Sequence, residues 1–332
     1  MRAYLLIAAI SAVVTFLLTW LTLKISHRYK LYPQIRARDV HTKPTPRLGG
    51  VAMFGGFVVA LAAAGAFGWF KSVFADPVQI IAIVAAAFMI TLIGFLDDLY
   101  DLDWTLKLAG QFAVAGVLTW QGVQIISLPI AGLTIGSFGT SLVVTVFLTV
   151  LVMNAVNFID GMDGLAAGIV AISGIAFFAF AYLLAVDYGF SRAGAPSLTT
   201  AVLVGICIGF LPHNINPAKI FMGDSGSMLL GLLLSAAAIT LTGQVDPNAI
   251  SAESLGPTLL PLLLPFAVLA IPFLDLLLAV ARRVKAGRSP FAPDNQHLHH
   301  RLLGAGNSTN RTAVILYLWT ATIAFPVTVL AF

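Results

Sequence analysis

The chain has 332 residues, of which 59% are hydrophobic and only 10% are charged, and its mean hydropathy is +0.96. Soluble domains carry about 25% charged residues, so this composition excludes a soluble globular protein and predicts an all-α integral membrane protein. The formal charge of +4 does not indicate a nucleic-acid partner, because the basic residues lie mainly in two loops between apolar runs, as membrane topology requires.

Ten apolar runs come close to the length of about 17–25 residues that a spanning helix needs. We interpret residues 1–332 as one polytopic domain, and the first run as a membrane helix, because no small-residue cleavage site follows it. The fourth and seventh runs are short, and a kinked or re-entrant element remains an alternative at the seventh. The predicted spans are 4–24, 48–70, 78–96, 107–121, 139–157, 164–186, 197–212, 226–243, 258–281 and 312–331.

The basic residues also predict the orientation. Fifteen of the 18 Lys and Arg residues fall on one side of the predicted spans, mainly in the loops after the first and ninth. Loops rich in Lys and Arg stay in the cytoplasm, so we predict that this side is cytoplasmic and that both termini, including the N-terminus, lie outside.

Acidic residues gather on the predicted cytoplasmic side, where three spans meet polar loops. Two adjacent carboxylates end the third span, two more follow the fifth span, and one precedes the eighth. Acids at a helix C-terminus oppose the helix dipole and need a partner such as a metal ion or Lys107, although a solvated helix end remains an alternative. We predict one shared site from Asp97, Asp98, Asp160, Asp163 and Asp224.

Oxygen ligands beside a phosphate-binding site favour Mg²⁺, which takes carboxylates, waters and substrate phosphates. Asp224 and Asn157 are the expected ligands, with Mn²⁺ as an alternative ion. The histidines near residue 300 would favour zinc, but they lack the spacing of a helical ligand pair and a cysteine partner.

The loop that leads to the second span is basic and contains two prolines. Gly49 and Gly50 open the next helix, where free backbone N–H groups could meet an anion. Lys43 and Arg47 add positive charge for a phosphate. The alternative is an ordinary basic loop held to anionic lipid.

Two further patterns add polar side chains. Asn154, Asn157, Asp160 and Asp163 follow one another at a spacing of three, which predicts one helical face, with helix capping as the alternative for the two acids. The run His297, His299, His300 and Arg301 can bind phosphate or carbonyl groups, unless it is a surface cluster without function.

Together, six motifs resemble the polyprenyl-phosphate N-acetylhexosamine-1-phosphate transferases of glycosyltransferase family 4, and in particular the bacterial UDP-GlcNAc branch. Members of that branch often have an eleventh span, where this chain has ten predicted spans. The motifs lie at residues 43–50, 94–98, 107–111, 154–164, 214–224 and 297–301.

The resemblance implies a multi-pass enzyme of the bacterial cytoplasmic membrane that transfers GlcNAc-1-phosphate from UDP-GlcNAc to an undecaprenyl or decaprenyl phosphate and releases UMP. It implies that Asp163 and Phe221 hold the uracil, that Lys107 and Asn214 lie around the diphosphate, and that Asp97 or Asp98 serves the acceptor phosphate. The expected catalytic residues are Asp97, Asp98, Asp224, His297 and His299. The expected substrate-binding residues are Lys43, Arg47, Lys107, Asn154, Asp160, Asp163, Asn214, Phe221, His300 and Arg301.

The resemblance also implies homodimers, although no interface pattern is visible in the sequence. Two alternatives remain open. The related phospho-MurNAc-pentapeptide transferases usually show three consecutive histidines, where this chain has Leu298 between His297 and His299. An ion-coupled transporter would place its acids near the bilayer midplane instead of at span ends.

Overall fold

The computed structural model describes residues 1–32, 45–75, 77–125, 137–187, 193–242, 264–287, 289 and 297–329. Within these ranges the chain forms helices and no strands. Lys43 lies outside the described residues. The helices are α1 (Arg2–Tyr29), α2 (Gly49–Ala66), α3 (Pro77–Tyr100), α4 (Trp104–Trp120), α5 (Phe138–Ile159), α6 (Leu165–Asp187), α7 (Gly194–Asn214), α8 (Gly223–Thr242), α9 (Ala270–Lys285), α10 (Leu298–Gly304) and α11 (Thr309–Val329).

Each predicted span contains a helix in its described part. Eight helices are long and apolar enough to cross a membrane, namely α1, α2, α3, α5, α6, α7, α8 and α11. The prediction of an all-α, multi-pass membrane protein is therefore confirmed. The ninth predicted span is described only from residue 264, and α4 has 17 residues, so the count of ten stays a prediction. The seventh span is one continuous helix that includes Pro212.

The central helix of the bundle is α8, of which 94% is buried in its apolar window. It packs against α2, α3, α5 and α7. Small residues allow these approaches: a side chain at Gly231 would overlap the backbone of Met153, and one at Gly94 would overlap the backbone of Ser225. Close contact between small residues is how membrane helices gain packing energy, because lipid tails are as apolar as the side chains.

Candidate active site

The centre of the site is an ion pair cluster where α3, α4 and α8 meet. The Lys107 Nζ lies 2.9 Å from the Asp97 Oδ2 and also binds the Asp224 carboxylate. The side chains are 10% exposed for Asp97, 23% for Lys107 and 24% for Asp224, so a ligand can still reach them. The partner that the sequence predicted for an acid at the end of α3 is therefore present. We call Asp97, Lys107, Asn157 and Asp224 the acidic cluster.

Asparagines of α5 complete this cluster from the other side. The Asn157 Nδ2 donates to the Asp224 Oδ1 at 3.0 Å and to the Ser227 Oγ at 2.8 Å. One turn deeper, the Asn154 Nδ2 donates to the Oε1 of the buried Gln111 at 2.6 Å. Asn154 thus lies in a second polar layer beneath the acidic cluster, where it is half-buried and binds Gln111 of α4.

Asp98 points away from its neighbour and serves α8. Its carboxylate accepts the backbone N–H of Asp224 at 2.9 Å, the N–H of Ser225 at 3.2 Å and the Ser225 hydroxyl at 2.9 Å. The first N–H groups of a helix have no partner within the helix, and the helix dipole favours an anion there. Asp98 therefore caps α8 from another helix and holds Asp224 in place.

Glycines let the backbone elements approach each other at this point. A side chain at Gly50 would overlap Ser225 and Gly226. The N–H groups of Gly49 and Gly50 donate to the carbonyl oxygens of Phe221 and Met222, at 3.0 and 2.9 Å. The prediction that these two N–H groups are free to bind an anion is therefore wrong, because the segment before α8 already occupies them.

The acids after α5 do not continue its polar face. The helix ends at Ile159, with Asp160 at its C-cap, so the prediction of one helical face extending to Asp163 is wrong. Asp163 is 3% exposed and accepts from the Asn216 side chain at 2.8 Å and from the Ala218 N–H at 3.0 Å. It braces the loop that leads into α8.

Asn214 braces the same loop. Its Oδ1 accepts the N–H of Gly164 at 3.1 Å, and its Nδ2 donates to the carbonyl of Ile220 at 2.9 Å. The N–H of Phe221, the next residue, donates to the carbonyl of Pro46 at 2.8 Å. Asn214 is 2% exposed, so it supports the loop from within.

The pKa of Asp160 depends on the other charged groups of the site. Burial, followed by the carboxylates of Asp224 and Asp98, raises the pKa of Asp160 well above its usual value, and the guanidinium of Arg47 opposes this shift. Arg47 therefore lies close enough to influence the charge of Asp160. Its role in phosphate binding stays a prediction. Proximity of several carboxylates also favours binding of a cation.

Residues 297–304, which we call the histidine segment, pack against the end of α5. The rings of His297 and His299 are nearly parallel, with centroids 5.8 Å apart. His299 is 2% exposed, and a side chain at Gly161 would overlap its ring. Burial, and then the charge of His300, lowers the pKa of His299 to about 3, so this ring is neutral at physiological pH. Arg301 is exposed.

A buried acid that the sequence analysis missed holds the histidine segment. Asp275 in α9 is 1% exposed, and its Oδ2 lies 2.9 Å from the Nδ1 of His297. Its Oδ1 accepts the N–H of Leu298 at 2.8 Å. The sequence signal that could have identified Asp275 is that it is a single acid inside an otherwise apolar run, because such an acid is usually functional or paired.

Known proteins resemble this chain along nearly its full length. The family described as Glycosyl transferase family 4 matches residues 80–242, which include the acidic cluster. The decaprenyl-phosphate N-acetylglucosaminephosphotransferase of Mycobacterium leprae is 42% identical over 98% of this chain and 83% of its own length. The chain belongs to glycosyl transferase family 4. The resemblance stated from the motifs is confirmed, and the protein is a transferase.

Two other relatives extend the comparison. A probable undecaprenyl-phosphate N-acetylglucosaminyl 1-phosphate transferase of Bacillus subtilis is 32% identical over 93% of this chain and 80% of its own length. A phospho-N-acetylmuramoyl-pentapeptide-transferase of Desulforudis audaxviator is 30% identical over 98% of this chain and 96% of its own length. The names of these two relatives therefore contain two different sugar groups, N-acetylglucosaminyl and N-acetylmuramoyl-pentapeptide.

Proposed function

We propose that this protein transfers GlcNAc-1-phosphate from UDP-GlcNAc to a membrane polyprenyl phosphate, which yields polyprenyl-diphosphate-GlcNAc and UMP. The observation that carries the proposal is the acidic cluster: two carboxylates converge on Lys107, and Asn157 binds one of them, Asp224, where membrane-spanning helices end. A lipid phosphate at the bilayer boundary can reach this position. The mycobacterial relative, which is 42% identical, is named a decaprenyl-phosphate N-acetylglucosaminephosphotransferase, which supports the proposed acceptor and sugar phosphate.

The choice of sugar rests on two observations. The relatives that share 42% identity carry N-acetylglucosamine in their names, whereas the pentapeptide transferase shares 30%. In addition, Leu298 interrupts the histidine run between His297 and His299. We therefore favour GlcNAc over the larger MurNAc-pentapeptide.

The acidic cluster fits a Mg²⁺ ion. Within the described residues no group of three or more His, Cys, Asp or Glu side chains is placed to hold a metal ion. Mg²⁺ does not need one, because it commonly binds through one or two carboxylates, waters and substrate phosphates. The buried Oδ1 of Asp97 has no hydrogen-bond partner among the described residues, and a cation already lies beside Asp97 in the form of the Lys107 ammonium.

When bound, Mg²⁺ would supply positive charge that offsets the negative charge of the transferring phosphate. Asp224 and Asn157 would hold this ion, and Mn²⁺ could replace it. Asp97 orients the acceptor phosphate, and Lys107 attracts the diphosphate once it exchanges its carboxylate contacts for phosphate contacts. No strong base is needed, since a phosphate monoester has a second pKa of about 6 and is largely ionised at neutral pH.

A pair of substrates tests the proposal. Purified protein in lipid is supplied with polyprenyl phosphate, Mg²⁺, and either labelled UDP-GlcNAc or labelled UDP-MurNAc-pentapeptide. We expect label in the lipid fraction and release of UMP only with UDP-GlcNAc. Label in the lipid only from the pentapeptide substrate would refute the choice of sugar. Absence of transfer with both would refute the function.

We further propose that the acidic cluster faces the cytoplasm and that the N-terminus lies outside. Cys207 is the only cysteine in the chain, so a Cys207→Ala background permits single-cysteine labelling. Lys30 and Lys71 are both exposed, and one predicted membrane span, α2, lies between them in the chain. An impermeant maleimide should label Lys71→Cys on intact cells and Lys30→Cys only after permeabilisation. The reverse pattern would overturn the orientation.

The proposal also includes a homodimer, on the strength of the family resemblance alone. Light scattering of the detergent-solubilised protein, with the bound detergent subtracted, should give twice the mass of 35.1 kDa. A mass of one chain across the concentrations used in the assay would refute the dimer without affecting the proposed reaction.

A further inference from the structure

Asp275 uses both of its carboxylate oxygens, and each has one partner. The Oδ1 accepts the N–H of Leu298 at 2.8 Å, and the Oδ2 lies 2.9 Å from the Nδ1 of His297. The acid is 1% exposed and lies in α9, 22 residues before its histidine partner. It therefore joins two consecutive helices, α9 and α10, and the acid itself is shielded from water.

This geometry determines which ring nitrogen of His297 carries the proton. An ionised carboxylate can only accept hydrogen bonds, so the Nδ1 of His297 must donate. A neutral imidazole has one N–H, which leaves the Nε2 with a lone pair. The same carboxylate anchors the Leu298 N–H at the first residue of α10, so it also fixes where the histidine segment begins.

His297 lies close to the acidic cluster through α5. Its ring centroid is 5.7 Å from that of Phe158, the residue after Asn157. His299, which stacks on it, packs against Gly161, the residue after Asp160. A change in the orientation of the His297 ring should therefore alter the packing at the end of α5, the helix that supplies Asn157.

We propose that Asp275 is a positioning residue for the transferase reaction: it holds His297 in the Nδ1–H tautomer and so presents the Nε2 lone pair to a hydroxyl or amide N–H of the sugar nucleotide. This inference rests on the proposed function, because it assumes that the histidine segment meets the sugar nucleotide. A buried carboxylate that orients a histidine in this way sets both the tautomer and the direction of the ring.

The isosteric substitution Asp275→Asn tests the inference. The Leu298 N–H still requires an acceptor, so the new amide turns its oxygen to Leu298 and its NH₂ group to His297. The Nδ1 must then accept, and the ring changes to the Nε2–H tautomer while the packing and both hydrogen bonds are retained. The control Asp103→Asn makes the same chemical change at the exposed N-cap of α4, where asparagine caps equally well.

The first measurement is the ¹⁵N NMR spectrum of protein labelled at the histidine rings. The His297 signals are assigned by their loss in His297→Asn, a variant that keeps a donor for Asp275 and a favoured N-cap residue. We expect a protonated Nδ1 in the wild type and in Asp103→Asn, and a protonated Nε2 in Asp275→Asn. An Nε2–H ring in the wild type, or no change in Asp275→Asn, would overturn the inference.

The second measurement is transfer kinetics. Outer-shell partners of functional histidines typically contribute about 10- to 100-fold to activity, so kcat/KM for UDP-GlcNAc should fall by about that factor in Asp275→Asn. The KM for polyprenyl phosphate should stay the same. In a His297→Asn background, Asp275→Asn should add little, because the two residues act as one unit. Full additivity, or equal loss for both substrates, would instead indicate a purely structural role.

The two measurements also separate this inference from the proposed function. If the wild-type protein transfers no sugar phosphate, the proposed function fails, while the NMR spectrum still shows whether Asp275 determines the tautomer. If the wild type is active and Asp275→Asn changes neither the spectrum nor kcat/KM, the proposed function stands and the positioning role fails.

Discussion

The acidic cluster and the histidine segment are built in different ways. Polar side chains of α3, α4, α5 and α8 bind one another in the acidic cluster, so each helix holds its neighbours in place. In the histidine segment, the buried Asp275 of α9 binds the ring of His297 and the first N–H of α10. In both regions, however, a carboxylate from another helix caps a helix N-terminus. Asp98 caps α8, and Asp275 caps α10.

This comparison shows that a carboxylate at a span end can serve the backbone instead of the substrate. Asp97 and Asp98 are adjacent, yet one binds Lys107 and the other binds the N–H groups of α8. Adjacent helical residues point about 100° apart, so they face different partners. The pair therefore contains one residue suited to the reaction and one suited to support.

The largest effect is expected in the acidic cluster from Asp224→Asn. The substitution removes the charge that Lys107 and a metal ion would share, while the amide keeps the size of the side chain. Loss of one preorganised electrostatic contact typically costs about 10²- to 10³-fold in rate. We expect at least that loss in Mg²⁺-dependent UMP release, with a thermal unfolding midpoint near that of the wild type. Near-normal turnover would show that Asp224 is not central.

The second test measures how much the close contact between α3 and α8 contributes to the stability of the protein. A methyl group at Gly94 would overlap the backbone of Ser225, whereas nothing lies within 4 Å of the corresponding position at Gly116. Gly94→Ala should destabilise the protein by about 1–3 kcal/mol and reduce transfer. Gly116→Ala should be neutral or slightly stabilising, since alanine favours helices over glycine by about 1 kcal/mol. Equal unfolding midpoints would contradict the tight packing of α3 on α8.

The third test distinguishes the role of Asp97 from that of Asp98. Asp98→Asn leaves one acceptor for the N–H groups of α8, so unfolding in detergent should become easier by about 0.5–2 kcal/mol, the usual value of a helix cap. Asp97→Asn should lower transfer strongly with little change in the unfolding midpoint. If Asp97→Asn is the less stable of the two variants, the division of roles is wrong.

The smallest effect is expected in the histidine segment as the pH falls. Folding keeps His299 neutral down to about pH 3, while an exposed histidine takes a proton near pH 6.5. The resulting stability is complete above pH 6.5 and is lost as the pH falls from there towards 3. It should decrease by about 1 kcal/mol at pH 6. His299→Gln should remove this pH dependence of the unfolding midpoint, and His27→Gln, at an exposed site, should not.

Some contacts of the site could be predicted from the sequence, and others could not. A partner was expected for the acid at the end of α3, and Lys107 provides it. The same reasoning did not distinguish Asp97 from Asp98, because the direction of each side chain depends on how α3 packs against α8. The N–H groups of Gly49 and Gly50 were expected to be free, but a segment about 170 residues later along the chain occupies them.

Hydropathy, charge and motifs are read from the sequence without knowledge of which segments pack together, so they were sufficient for the all-α class, the multi-pass membrane character and the family. Hydrogen-bond partners depend on distances of about 3 Å between elements that are far apart in sequence. Lys107 and Asp224 are 117 residues apart, and Asp98 caps the helix that begins beside Asp224, 126 residues later. Only the packing of the helices decides which of these groups meet, and so the roles of Asp98 and Asp275 became visible only in the folded protein.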